Sequence, residues 1–162
     1  MREGKVVSVE ELAARVAALK ASGKRVAHCH GCFDLVHPGH IKHLQAARRL
    51  ADALVVTVSA DRFVDKGPGR PAFPEQLRAE SVAALECVDY AAVNQWPTAE
   101  ETLRLLRPDY YVKGQEFERP EDRTEKLQRE VAVVRETGGE MRFTHGFVSS
   151  STALLKKHFG TP

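Results

Sequence analysis

The sequence predicts an α/β fold, a doubly wound parallel sheet of five strands with helices on both faces. Three observations lead there. Short apolar runs alternate with amphipathic runs along almost the whole chain, which is the pattern of successive β-α units joined by right-handed crossovers. One run, residues 53–59 (Ala-Leu-Val-Val-Thr-Val-Ser), is continuously apolar, as in a strand covered on both faces. The length of 162 residues, with 43% hydrophobic and 28% charged positions, suits one globular domain with a real core.

The elements follow in order. Ser8-Val9-Glu10-Glu11 is a capping box that opens a helix carrying Leu12, Val16 and Leu19 and stopped by Gly23. Residues 25–29 read as the first strand, residues 31–39 as a turn-rich loop, and the following run as a helix with His40 in its first turn. After the strand at 53–59 and a Gly-Pro loop at 67–71, Pro74 suits the first position of a third helix. Residues 90–93 read as a strand, and Thr98-Ala99-Glu100-Glu101 as a second capping box opening a helix to Leu106. A strand at 110–113, a helix over 121–137, a strand at 140–144 and a helix over 151–159 complete the set. We expect a single domain over 1–162, an N-terminal helical segment (1–23) followed by a Rossmann-like core (24–159).

Composition narrows the function. The formal net charge is +2, from 24 Lys and Arg against 22 Asp and Glu, so electrostatics make no case for nucleic acid as a partner. No apolar run is long enough to span a bilayer, and the first residues have no secretory h-region. The expectation is a cytoplasmic protein with no membrane partner. Histidine is the uneven feature: five of the seven (His28, His30, His37, His40 and His43) fall within one short stretch that also holds Cys29 and Cys32.

Three chemistries compete for that stretch. Cys29-His30-Gly31-Cys32 is a C-x-x-C, which can serve as a redox dithiol or part of a zinc site. A dithiol, however, wants its nucleophilic cysteine at a helix N-terminus, where its pKa falls, and Cys29 ends a strand. His28, His30 and His43 read as ordinary strand and helix residues. His37 and His40 flank Pro38-Gly39 at a helix entry, on the carboxyl side of a strand, where ligands of such sheets bind. Free helix N–H groups, close backbone approach at Gly39 and two imidazoles one turn apart make a place for a phosphate. Phosphoryl or nucleotidyl transfer uses such an arrangement, because positioning and charge stabilisation carry that catalysis.

The stretch Gly31-Cys32-Phe33-Asp34-Leu35-Val36-His37-Pro38-Gly39-His40 resembles the G-x-F-D-x-x-H-x-G-H signature of the cytidylyltransferase-like nucleotidyltransferases. Lys66-Gly67-Pro68-Gly69-Arg70-Pro71, Cys87-Val88-Asp89-Tyr90, Arg107-Pro108-Asp109 and Val112-Lys113-Gly114 are similar to the nucleotidyltransferase domain of bacterial ADP-heptose synthases. The serine run before the last helix occupies the place of the family's second signature. Together the resemblance covers residues 24–159.

What the resemblance implies is transfer of a nucleoside monophosphate from ATP or CTP, with Mg2+ on the triphosphate, to a phosphorylated heptose-type sugar, releasing pyrophosphate. Glycerol phosphate or another polyol phosphate with CTP is the alternative. His37, His40 and Lys66 would be catalytic, the histidines stabilising charge on the transferring phosphate and Lys66 reaching the phosphates. Gly31, Gly39 and the backbone of Cys32 and Phe33 would contact phosphates, and Lys113 and Gly114 would lie beside the nucleobase. Ser149, Ser150, Ser151 and Thr152 would bind β- and γ-phosphate oxygens or cap the last helix. Asp34, Arg70 and Arg78 would serve the acceptor side, Arg78 by holding the charged site together. Lys113, Lys66 and Arg70 also have a plain reading as solvated surface charges. Lys113-Gly114-Gln115-Glu116-Phe117 departs from the usual Lys-Gly-Gly-Asp-Tyr of ADP-heptose synthases, and no arginine stands before Ser149 as in glycerol-phosphate enzymes. No kinase domain is attached, so the acceptor is expected to arrive phosphorylated. The family often forms dimers, so a homodimer is possible.

Overall fold

The computed structural model describes residues 4–147 and 150–159, with only the backbone of Ser151 and Phe159. The element order is α1 (Val9–Ala21), β1 (Val26–Gly31), α2 (Pro38–Arg48), β2 (Ala53–Ser59), α3 (Glu75–Ala83), β3 (Tyr90–Asn94), α4 (Glu100–Leu106), β4 (Tyr110–Gly114), α5 (Glu125–Glu136), β5 (Glu140–Thr144) and α6 (Ser151–Phe159). The five strands form one parallel sheet in the order β3-β2-β1-β4-β5. The direction of winding reverses between β1 and β4, and that reversal opens a crevice at the carboxyl ends of those two strands.

The sheet is covered on both faces. Leu44 and Ala47 of α2 and Ala79, Val82 and Ala83 of α3 pack on Ala27, Cys29, Leu54, Val56 and Val112. On the other face, Leu12 and Val16 of α1 pack on Val26 and Val55, and Leu103, Leu127 and Val134 pack on Tyr111. Because successive strand residues point to opposite faces, Cys29 lies on the α2 side while His28 and His30 lie on the other. Among the described residues, no helix is long and apolar enough to cross a membrane.

Four local expectations need correction. The first strand runs on to Gly31, two residues beyond its apolar part, because its ladder with β2 continues to the Gly31–Val58 pair. Pro74 is the N-cap of α3 and its first helical residue is Glu75. The helix expected over 121–137 starts at Glu125: Pro120–Asp122 is a separate 3-10 turn, and the Thr124 side chain caps the helix by accepting from the Leu127 N–H at 3.2 Å. Thr98 does not cap α4. Its Oγ1 receives only a long 3.4 Å bond from the Glu100 N–H, while the Ala99 N–H is taken by Glu130 of α5. Ser8 does cap α1, accepting from the Glu11 N–H at 3.1 Å. The N-terminal segment also carries an addition not foreseen: residues 5–7 pair with Ala91 at the edge of β3, which covers that edge.

Candidate active site

The chain leaves β1 at Gly31 and enters α2 at Pro38. Between them Phe33 adopts a left-handed conformation (φ 49°) that a side-chain-bearing residue rarely holds. Its ring is buried, 5.1 Å from the His40 ring. Such strain persists only where the surroundings impose it, and here it is imposed beside Arg78. The Arg78 side chain is 1% exposed. It donates to the Cys32 carbonyl, to Phe73 O at 3.0 Å, to Ser59 O at 2.7 Å and to Asp61 Oδ1 at 2.6 Å. One guanidinium thus ties the loop after β1, the end of β2 and the start of α3. This is the holding role expected of Arg78, but its burial leaves no surface for a ligand, so it is corrected from substrate-binding residue to support.

His37 is the N-cap of α2. Its Nδ1 accepts the Gly39 N–H at 3.1 Å, which puts the ring proton of the neutral form on Nε2. That Nε2 is buried without a partner among the described residues, as is His40 Nδ1. The two rings stack at 3.8 Å between centroids. Burial, then the charge of Lys66, lowers the His37 pKa. Burial, followed by repulsion from His37, His43 and Lys66, takes His40 down to about 4. Both rings are therefore neutral near pH 7, and each keeps one buried ring nitrogen without a partner among the described residues at the first turn of α2. A phosphate placed there would favour the charged forms that burial disfavours.

An open cleft of about 200 Å³ lies at this end of the sheet, walled by Gly31, Cys32, Phe33, Gly39 and His40 on one side and by Lys113, Gly114, Thr144 and Phe147 on the other. Lys113 is not a solvated surface lysine. Its side chain is 16% exposed, and its Nζ donates to His30 O at 3.1 Å and sits 4.9 Å from the Tyr111 ring centroid. At Gly114 the Glu116 carboxylate lies so close that an added Cβ would fall 2.1 Å from its oxygen, so Glu116 covers that glycine.

Lys66 is exposed on the loop after β2. Arg70 is paired with Asp34, whose carboxylate also accepts the Ala72 N–H at 2.6 Å. The two acceptor-side expectations are thereby brought together as one ion pair that fastens the loop. Ser150 caps α6, its Oγ accepting the Ala153 N–H at 3.0 Å. Thr152 lies half-buried in the first turn. Ser149 and the side chain of Ser151 lie outside the described residues.

Two histidines read as bystanders belong to the cleft wall, His30 and His43. His43 links Thr144 Oγ1 (2.6 Å) to Cys29 Sγ (3.5 Å). Its spacing of three residues from His40 on one helix is a signal that could have found it. Glu116, Phe117, His145 and Phe147 also line the cleft; Glu116 and Phe117 belong to the Lys113–Phe117 stretch set against the family pattern, and none of the four was singled out as a site residue.

The dithiol reading is corrected by burial. Cys29 is enclosed, and desolvation pushes its thiol up to about 12; the Cys32 thiol is raised too. Neither has the lowered pKa of a reactive thiol, and all three cysteines are free. Cys29→Ser is expected to leave turnover within a few-fold of the parent; activity lost with that change would restore a thiol role.

The buried imidazoles set a pH dependence of stability. His28 is held down to about 3 by burial, and its Nε2 shares Thr57 Oγ1 with His30 Nδ1 at 2.8 and 2.9 Å. An unfolded histidine titrates near 6.5, so between about pH 6.5 and 4 the unfolded chain binds protons the fold refuses, and fully buried His28 alone costs about 1.4 kcal/mol per pH unit there. His40 and His43, both held near 4, act in the same direction. The urea midpoint is expected to drop from about pH 7 to about pH 5; an unchanged midpoint would contradict these burials.

The crevice of this parallel sheet is edged by a helix N-terminus, by two imidazole nitrogens without a partner among the described residues and by the half-buried Lys113, an arrangement suited to a phosphate-bearing ligand. Comparison with known proteins gives the class. A family model described as cytidylyltransferase-like matches residues 28–157. The chain is 40% identical to the bifunctional protein HldE of Azorhizobium caulinodans over 157 residues, 94% of this chain and 31% of that one. It is 41% identical to the bifunctional protein HldE of Gluconobacter oxydans over 154 residues, again 94% and 31%. The chain thus spans about a third of those relatives' length. Among solved structures, a lipopolysaccharide core biosynthesis protein from Thermoplasma volcanium superposes with a TM-score of 0.59 at 25% identity, covering 75% of this chain and 94% of that one. A pantoate-beta-alanine ligase from Francisella tularensis, with a TM-score of 0.58 at 13% identity over 86% of this chain and 66% of that one, shares the fold alone. The chain belongs to the cytidylyltransferase-like family. It is a nucleotidyltransferase.

Proposed function

We propose that this nucleotidyltransferase moves a nucleoside monophosphate from ATP or CTP onto a phosphorylated, heptose-type sugar. The observation that carries this reading is the stacked pair His37 and His40 at the N-terminus of α2, each with a buried ring nitrogen that lacks a partner among the described residues, with His40 lining the cleft. The resemblance to ADP-heptose synthases and the similarity to HldE proteins support the sugar class. An oxygen of the acceptor phosphate forms a bond to the α-phosphorus. The bond to the bridging oxygen breaks, and its electron pair leaves on pyrophosphate. Negative charge grows on the α-phosphate oxygens, and ring N–H groups of His37 and His40 with the N–H groups of α2 are placed to receive it. Lys66 approaches the phosphates from its loop, the backbone at Cys32 and Phe33 lies against them, and Gly114 and Lys113 flank the base. Ser149 to Thr152 serve the outer phosphates.

The described residues form no metal site of their own, so magnesium would arrive as an ion carried on the triphosphate. Asp34 is spent on Arg70 and Ala72, and among the described residues no group of three His, Cys, Asp or Glu side chains could hold a metal. Bound to phosphate oxygens, magnesium would supply further charge neutralisation.

The experiment is a pyrophosphate-release screen of ATP and CTP against heptose, glycerol and other polyol phosphates. The expected result is release that needs both a nucleotide and a heptose-type phosphate. Release only with glycerol phosphate and CTP would replace the acceptor, and no release with any phosphorylated acceptor would end the reading.

A further inference from the structure

Glu130 lies on α5 on the same stripe as Leu127, Val131 and Val134, and it is 1% exposed. A buried carboxylate is costly, and an apolar residue at that place would serve packing as well or better. Its bonds point elsewhere. Oε1 accepts the Ala99 N–H at 3.0 Å at the entry to α4, and Oε2 accepts the Tyr111 hydroxyl at 2.8 Å. The same Oε2 stands 3.9 Å from Lys113 Nζ, which in turn donates to His30 O at the end of β1. One carboxylate therefore joins α4, α5 and β4, and through Lys113 the strand end from which the signature loop departs.

We propose that Glu130 is a positioning residue that keeps the Lys113 ammonium charged and fixed at the floor of the nucleotide cleft. The proposal rests on the reading of that cleft as the nucleotide site. The groups around Lys113 are Glu130 and Lys126 from α5, Tyr111 from β4, His28, Cys29 and His30 from β1, His43 from α2 and Glu116 from the turn after β4. Burial favours the neutral amine, and Glu130 is the leading opponent of that effect. The histidines are neutral near pH 7 and Glu116 is exposed. Glu130 is thus the buried anion that supports the charge.

The test is the pH profile of the nucleotide KM in the full chain. Glu130→Gln keeps the size and an acceptor for Ala99 but removes the charge. Its nucleotide KM is expected to rise severalfold over the parent at alkaline pH, where without the carboxylate the Lys113 ammonium gives up its proton earlier, and to return toward the parent value near pH 6.5. A merely structural loss would lower the active fraction at all pH values and leave the KM profile in place. Glu130→Asp retains the charge at a longer distance and is expected to give a smaller displacement, which also serves if Glu130→Gln fails to fold. Lys113→Met should raise KM at every pH. A Glu130→Gln profile that overlays the parent, with Lys113→Met impaired, overturns the positioning role alone. A Lys113→Met variant with unchanged nucleotide KM overturns the nucleotide reading of Lys113, and this proposal with it.

Discussion

Replacing His40 with alanine is expected to slow pyrophosphate release by about a hundredfold to a thousandfold, the scale for losing one preorganised donor to a developing oxyanion. The nucleotide should still bind, because the helix N-terminus, the loop backbone and Lys113 remain. His37 calls for a finer substitution, since its two ring nitrogens do different things. Nδ1 caps α2 through the Gly39 N–H, whereas Nε2 has no partner among the described residues. His37→Ala removes both, and the lost cap alone costs about 1 kcal/mol. His37→Asn can keep an acceptor near Gly39 while losing the distal donor. It is expected to fold with near-parental stability and still turn over far more slowly. The double replacement should cost less than the product of the single effects, because the stacked rings act on one phosphate. Stopped assays of kcat alongside nucleotide Kd check this; a His40→Ala rate within threefold of the parent would remove the histidines from the chemistry.

The second large effect falls on stability. Arg78→Met takes the shared donor from the Cys32, Ser59 and Phe73 carbonyls, while Asp61, partly exposed and still accepting the Glu75 N–H, loses less. Removing one side of a buried, charge-assisted set costs about 3 kcal/mol or more, a large part of the stability of a small domain. Urea unfolding should show a lower midpoint, and the freed loop should also lower kcat. Arg78→Lys can reach one or two of the four acceptors and lacks the planar fork, so it is expected to fall between. A midpoint for Arg78→Met equal to that of the parent would mean that the buckle holds nothing.

The order of elements was legible because each strand and helix writes a local period, and α5 and the sheet core do so plainly. The signature loop was legible for a related reason: Gly31 to Gly39 sets a turn, a close approach and a helix entry in consecutive residues. Long-range pairing left no local mark. Arg70 finds Asp34 across 36 positions of chain, and Lys113 on β4 finds Glu130 on α5. Lys113 therefore read as equally suited to the surface and to the site. Glu130 did leave one sign, a carboxylate on the apolar face of its own helix between Leu127 and Val134. That same residue also serves the Ala99 N–H at the entry to α4, where the capping box was expected. His30 and His43 were set aside because a strand end and a helix face look ordinary until the fold brings β4 beside His30 and β5 beside His43.

The central claim is that the α-phosphorus is the atom attacked. Single-turnover reactions with nucleotide labelled either at the α- or at the γ-phosphate, in the presence of the phosphorylated sugar, test it most directly. The account requires the α-label to appear in the sugar product and the γ-label in pyrophosphate. A γ-label on the sugar, or an α-label released as free nucleotide with none on the sugar, would contradict it.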